Sequence, residues 1–219
     1  MISEEPWIVF AGNCQGRHAR ETGPRGCFLV TVNDHLDVES ADWRNLDVVR
    51  WEAVEVDLTG LEEESEVLRR IREALSRAIE NAEGRLLATR ILLTGASPLH
   101  GILLRDARRF RAETEAIAQD FGEDTIWIEQ IKVATSPVYD LGELAERDAL
   151  TKTVLETLEQ ATQQLEALPS DITDMLDVLP PDLRAEVEED WSAAQRPALM
   201  EDVRAIILEA LRTKGDPAA

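Results

Sequence analysis

A segment near the start of this 219-residue chain gathers the side chains best suited to hold an anion: Gly12-Asn13-Cys14-Gln15-Gly16-Arg17-His18-Ala19-Arg20-Glu21-Thr22-Gly23-Pro24-Arg25-Gly26. Its four glycines permit positive φ and close backbone approach, and Arg17, His18, Arg20 and Arg25 supply positive charge in a chain that is otherwise acidic. Two apolar runs of strand character flank it, Trp7 to Phe10 before and Cys27 to Val32 after, so the polar groups belong to a loop at the end of strands. Two readings fit that pattern. One is a loop that faces phosphate; the other is a long hairpin turn whose charges are solvated.

A second basic group lies at Arg105, Arg108, Arg109 and Arg111 and is the other surface on which DNA would be met. Other chemistry is sparse. The three histidines, His18, His35 and His100, are far apart, and none belongs to an HxH, HExxH or HxxxH pattern that would bring two imidazoles to one metal. No Walker sequence and no GxSxG elbow occurs, and the spacing of Gly12 and Gly16 fits neither a dinucleotide loop nor a P-loop. With 44 Asp and Glu residues, a pair of carboxylates carries no information by itself. His100 follows Ser97-Pro98-Leu99 at a helix start, where it either helps present an anion or is a plain surface histidine. Cys14 and Cys27 have no metal-ligand spacing and are expected as reduced thiols.

Composition narrows the function classes. At 44% hydrophobic residues the chain can bury a core. Its net charge of -21 argues against gripping a nucleic-acid backbone over the whole surface, because such binding comes from Lys and Arg neutralising phosphates. The charge is uneven: from Asp140 onward there are 7 basic and 19 acidic residues, against 16 and 25 in residues 1 to 139. Apolar stretches such as Ile91 to Leu93 and Ala205 to Leu208 fall far short of the roughly 20 residues of a membrane helix, and the N-terminus lacks a basic-then-apolar signal pattern. The expected location is the cytoplasm, with no membrane contact.

The elements that must position these residues fall into three regions. Residues 1–47 read as short strands and turns, with Cys27 to Val32, an Asn33-Asp34 turn and a second strand near Leu36 to Val38; alone they are too few for a two-sided core. Residues 48–136 alternate. Val49 to Leu58 reads as a strand, Glu62 to Glu83 as a helix through Val67, Leu68, Ile71, Leu75 and Ile79 ended by Gly84, and Leu86 to Leu93 as a strand. A helix follows from the Ser97 cap and Pro98 to Phe121, and Ile126 to Val133 is a third strand. This predicts an α/β fold, a small β-α-β-α-β domain with helices on one or both faces of its sheet. Residues 137–219 read as all helical: Leu141 to Leu168, Ile172 to Leu179, Pro181 to Trp191 and Ala198 to Leu211. Their apolar stripes pack on one another and the α/β unit, or dock on a partner.

The segment Trp7-Ile8-Val9-Phe10-Ala11-Gly12-Asn13-Cys14-Gln15-Gly16-Arg17-His18, continued by Arg20-Glu21-Thr22-Gly23-Pro24-Arg25-Gly26-Cys27, resembles the end of the phosphodiesterase domain in YhaO-type DNA repair exonucleases. These are relatives of SbcD in the metallophosphoesterase superfamily. The resemblance continues through Leu46 to Trp51, Arg90 to Gly95 and Ile126 to Glu129, so it covers about residues 6 to 136. In that family, motifs of the Asp-x-His, Gly-Asn-His-Asp and Gly-His-x-His kind hold two manganese ions and lie N-terminal to the loop; none occurs here. The resemblance therefore implies terminal strands of an otherwise absent phosphodiesterase domain over 1–47, a capping domain over 48–136 and a helical region over 137–219, with no metal ligand and no catalytic residue in this chain.

Asn13, Gln15, Arg17, His18 and Glu21 match the family's loop pattern, which implies a border role beside substrate phosphate or in support of the ligand shell; Cys14 departs from the apolar residue expected there. In SbcD-like nucleases helices beyond the cap bind a coiled-coil ATPase, so the resemblance implies such a partner, with the apolar stripes of Leu150 to Leu165 and Val203 to Leu211 as the candidate contacts. The strands Trp7 to Val32 are expected to pack on a neighbouring element or on another copy in a homo-oligomer. The function expected is the non-catalytic capping and partner-binding portion of a DNA repair exonuclease, inactive alone. The alternative is an independent acidic α/β protein-interaction module with no DNA role.

Overall fold

In the computed structural model the residues described are 3–4, 7–122, 124–139, 146, 149–164, 176–180, 184 and 196–215. They divide into two compact units: Met1–Gly95 with Arg108–Thr135, and Ala96–Ala107 with Ser136–Ala219.

The first unit is built on a parallel three-stranded sheet of β5 (Val49–Asp57), β6 (Leu86–Thr94) and β8 (Ile126–Val133), in the order β5-β6-β8. Parallel pairing needs a crossover after each strand, supplied by α1 (Glu64–Asn81) and α3 (Ala107–Gln119). With right-handed crossovers, this sequential order puts both helices on one face. Val67, Ile71, Ala74, Leu75 and Ala78 of α1 and Phe110, Thr114, Ile117 and Ala118 of α3 are buried. They meet Val54, Val56, Leu87, Ile91, Leu93, Ile126 and Ile128, also buried, from alternate positions of the strands. The opposite face is partly covered by the 12–26 loop at Trp51. There Trp51 and Trp127 meet edge to face, with ring centroids 6.0 Å apart, across the buried Ala88 to which both are paired. Arg90 on this face makes a bidentate pair with Glu129, 2.8 Å for each bond, where β8 carries a bulge.

Before this sheet, β1 (Ser3–Glu4) pairs with β2 (Trp7–Ile8), and β3 (Gly26–Val32) forms an antiparallel ribbon with β4 (Val38–Asn45). The predicted second strand near Leu36 to Val38 is thus displaced. Leu36 lies in the turn with φ 68°, and the strand runs on to Asn45. Asn33 causes the shift: its side-chain oxygen accepts from the His35 and Asp37 amides, 2.9 Å each, and closes a longer turn than an Asn-Asp pair would. Phe28 and Trp43 stack edge to face at 5.1 Å on this ribbon, while Leu29, Val30 and Val32 are about half exposed.

The second unit holds β7 (Ala96–Ser97), parallel to β9 (Ser136–Pro137), and the helices α2 (His100–Arg105), α4 (Ala149–Gln164) and α5 (Arg196–Gly215). The single helix predicted from Ser97 to Phe121 is therefore two helices after a short strand. Ser97 is fully buried in β7, its hydroxyl accepts from the Leu99 amide at 3.2 Å, and Leu99 is the N-cap. The break falls at Asp106, whose amide closes α2 on the Ile102 carbonyl at 2.9 Å. Gly101 lets α2 approach α5, because a Cβ there would stand 2.8 Å from the Ala205 carbonyl oxygen. Ala205 and Leu208 of α5 are buried. Of the predicted C-terminal helices, Ile172 to Leu179 and Pro181 to Trp191 fall largely outside the described residues, as do Leu144 and Leu165. Among the described residues no helix is long and apolar enough to cross a membrane.

Candidate functional site

The loop between β2 and β3 is organised around one carboxylate. Glu21 Oε2 accepts from the Arg17 amide at 3.0 Å and from Asn13 Nδ2 at 3.2 Å, and Oε1 accepts from Arg17 Nη2 at 3.0 Å. His18 Nε2 stands 3.6 Å from Oε1, while its Nδ1 accepts from the Arg20 amide at 3.2 Å. Four of the five predicted border residues, Asn13, Arg17, His18 and Glu21, thus come together. Hydrogen bonds from the Arg17 side chain and amide pull the Glu21 carboxyl down to about 2. Arg17 in turn is pushed above its ordinary value by that hydrogen bond and charge.

Gln15 points the other way. Its side chain bonds to Val48 and Val49 at the start of β5 and to the Gly16 carbonyl. Trp51 Nε1 donates to the same Gly16 carbonyl at 3.0 Å, and the Trp51 carbonyl accepts from the Gly23 amide at 2.8 Å. Gly16 is required at this contact, since a Cβ would lie 2.8 Å from the Glu21 carbonyl oxygen and 3.0 Å from the Trp51 ring. Gly26 is tighter still, with a Cβ only 1.8 Å from the Arg44 carbonyl oxygen. Gly16 and Gly26 therefore serve close backbone packing, while Gly12 and Gly23 hold positive φ of 82° and 81°. Cys14 is exposed and Cys27 half-buried, both as free thiols.

Below the loop lies a buried ionic cluster that sequence reasoning did not single out. Arg25 bonds to the Glu21 and Thr22 carbonyls, and its own carbonyl accepts from the Leu46 and Asp47 amides at 2.8 and 3.1 Å. The Asp47 side chain is wholly buried and is held by Arg50 in a bidentate pair through the Nε–Nη2 edge of its guanidinium, with Arg85 Nε 3.3 Å from Oδ1. Burial would push the Asp47 carboxyl up, but the Arg50 hydrogen bond and charge prevail and hold it below the carboxylate range. A signal was available: Arg50 shares the strand parity of the inward Val54 and Val56, so it had to be buried and paired.

The second predicted group is divided between the two units. Arg105 belongs to the second unit and pairs with Asp106 at 2.8 Å and Glu209 at 3.7 Å, whereas Arg108, Arg109 and Arg111 belong to the first. Arg109 pairs with Glu64 at 2.6 Å and Glu113 at 3.1 Å, and Arg111 with Glu115 at 2.8 Å. Arg108 is exposed. Carboxylates thus neutralise most of the charge that made this segment conspicuous. His100 is no surface histidine: it is 1% exposed in α2, with Nε2 3.4 Å from Asp202 Oδ1 of α5. Burial lowers its pKa, against the Asp202 and Glu201 charges.

Metallophosphoesterases use divalent metal ions. Among the described residues no group of three or more His, Cys, Asp or Glu side chains is placed to hold one, so the donor set here does not fit such a centre.

Comparison with known proteins places this geometry in context. Residues 51–136 match the family model of the middle domain of metallophosphoesterase YhaO. The chain is also 30% identical over 98 residues to an uncharacterized metallophosphoesterase YhaO of Bacillus subtilis (strain 168), an alignment that takes in 45% of this chain and 23% of the relative. The chain thus spans less than a quarter of the length of the curated relative it matches. No solved structure matches significantly. Residues 51–136, which include the parallel sheet from Trp51 onward, are therefore similar to the middle domain of a YhaO-type metallophosphoesterase.

Proposed function

We propose that this chain is the capping and partner-binding portion of a metal-dependent DNA repair exonuclease. In this reading phosphodiester hydrolysis is carried out by a metallophosphoesterase domain N-terminal to it, with two manganese ions held by that domain's ligands. The observation that carries the proposal is the match of residues 51–136 to a metallophosphoesterase middle domain. The ribbon of β3 and β4 supports it. Leu29, Val30, Val32, Phe10 and Leu36 are each 47% exposed or more, a surface that a catalytic domain, or a second copy, would cover. In this reading Asn13, Arg17, His18 and Glu21 form the rim of the phosphodiester site, and the protein works on DNA in the cytoplasm. A coiled-coil ATPase is the proposed partner of the helical region, where Leu150 of α4 is exposed and Val203, Ile206, Ile207 and Leu211 of α5 are half-buried.

The test is the reading frame that encodes this chain together with activity. Upstream codons should specify the Asp-x-His, Gly-Asn-His-Asp and Gly-His-x-His motifs, and the longer protein should cleave labelled DNA with manganese while residues 1–219 alone do not. Robust cleavage by this chain, lost in His18→Ala, would overturn the reading. A second reading, an acidic protein-interaction module with no DNA role, is favoured by the pairing of Arg105, Arg109 and Arg111 with carboxylates. An upstream frame without those motifs would select it.

A further inference from the structure

One amide fastens the loop to the sheet. Gln15 Oε1 accepts from the Val48 amide at 2.9 Å and the Val49 amide at 3.2 Å, while Nε2 donates to the Val49 and Gly16 carbonyls at 2.8 Å each. Both donors and the acceptor oxygen of the primary amide are engaged. The strand involved is β5, an edge of its sheet, and at Val49 the Gln15 amide meets both the N–H and the C=O, as a hydrogen-bonded residue of a neighbouring strand would. Two residues on, the contact is repeated by the loop itself, through Gly23 to the Trp51 carbonyl and through the Trp51 indole to the Gly16 carbonyl. The loop therefore substitutes for the missing edge strand.

We infer that Gln15 is a positioning residue: it sets the orientation of the 12–26 loop on β5, so that Arg17 and His18, gathered on Glu21, are presented by the sheet and not by the loop's own turns. This assigns Gln15 a role different from contact with substrate. It rests on the proposed reading of the loop as a phosphodiester rim only for what is presented there; the fastening is a property of this chain.

The experiment is amide exchange and the Trp51 indole resonance, followed by NMR, in Gln15→Leu and Gln15→Glu. Leucine fills the same space without hydrogen bonds, so exchange at Gly23 and Val49 should accelerate about tenfold or more while Ile91 at the sheet centre keeps its protection. Glutamate retains the acceptor but turns a carboxylate on the Val49 and Gly16 carbonyls. Its loop should be loose at about pH 7 and regain protection at about pH 4, where a protonated carboxyl again donates. A merely space-filling side chain would leave Gln15→Leu like the parent and show no recovery in Gln15→Glu. Unchanged exchange at Gly23, or equal loss at Ile91, overturns the inference. If the fastening holds but the upstream frame lacks the metal motifs, the nuclease reading alone falls; the converse result removes the fastening alone.

Discussion

At the scale of single residues, Glu21 and Asp47 show two uses of one functional group. Glu21 is a partly exposed carboxylate that collects donors from Asn13 and Arg17, and its pKa of about 2 is the mark of that arrangement. Because the folded value lies below that of the unfolded chain, its contribution is full above about pH 4.5 and is lost as pH falls towards 2. A carboxyl-detected NMR titration should find a midpoint near 2 that rises in Arg17→Ala, where the side-chain hydrogen bond is lost and the bond from the residue 17 amide remains. Asp47 is buried between two arginines. Removing its charge leaves the buried Arg50 with only the exposed Glu83, 3.8 Å away, as an ion-pair partner among the described residues, so Asp47→Ala should cost about 3–5 kcal/mol in urea unfolding, whereas Glu83→Ala, at the exposed edge of the same cluster, should cost under about 1 kcal/mol.

Elements add constraints that no residue carries alone. In the second unit the approach of α2 to α5 depends on Gly101 beside the Ala205 carbonyl and on the buried His100 beside Asp202. Gly101→Val should destabilise this contact by about 1–3 kcal/mol, visible as faster exchange of the Ala205 and Leu208 amides. The same contact should weaken with acid. Burial holds His100 below its ordinary value of 6.5, against the opposing pull of Asp202 and Glu201, so the unfolded chain takes up the proton first and stability declines as pH falls through 6.5. Asp202 works with opposite sign at lower pH. Its carboxyl is raised above 3.8 by burial, and stability linked to it is present in acid and lost as pH rises through the raised value. The protection factor of the Ala205 amide, which is its exchange corrected for the intrinsic pH dependence, should fall between about pH 7 and about pH 5 in the parent and stay flat in His100→Gln.

For the whole molecule the controlling quantity is charge. A net charge of -21, with Arg105, Arg109 and Arg111 already paired, leaves little to neutralise a phosphate backbone. Duplex DNA should bind this chain weakly, with affinity falling steeply as salt rises from about 0.05 M to about 0.2 M. A fluorescence-anisotropy titration that finds a tight complex at the upper salt would contradict this. Such a result would require a basic surface formed beyond the pairs described here.

The sequence by itself determined the α/β class and the strand-helix order of the parallel sheet, because periods of two and of 3.6 are imposed by local geometry and survive in the pattern of Val49 to Leu58, Val67 to Ile79 and Leu86 to Leu93. It determined the grouping of Asn13, Arg17, His18 and Glu21 nearly as well, since those residues are close in the chain. It misplaced β4 near Leu36 to Val38, because the charged Val38–Asn45 run has no alternation, and it was blind to the helix break at Asp106, which a continuous apolar pattern conceals. Only the tertiary structure decided that Gln15 serves β5, that Asp47 is clasped by Arg50 and Arg85, and that His100 is buried against α5. Most of these contacts join residues far apart in sequence, so local periodicity holds no record of them. Their energy depends on which groups are taken out of water together, and that is settled only when the elements pack.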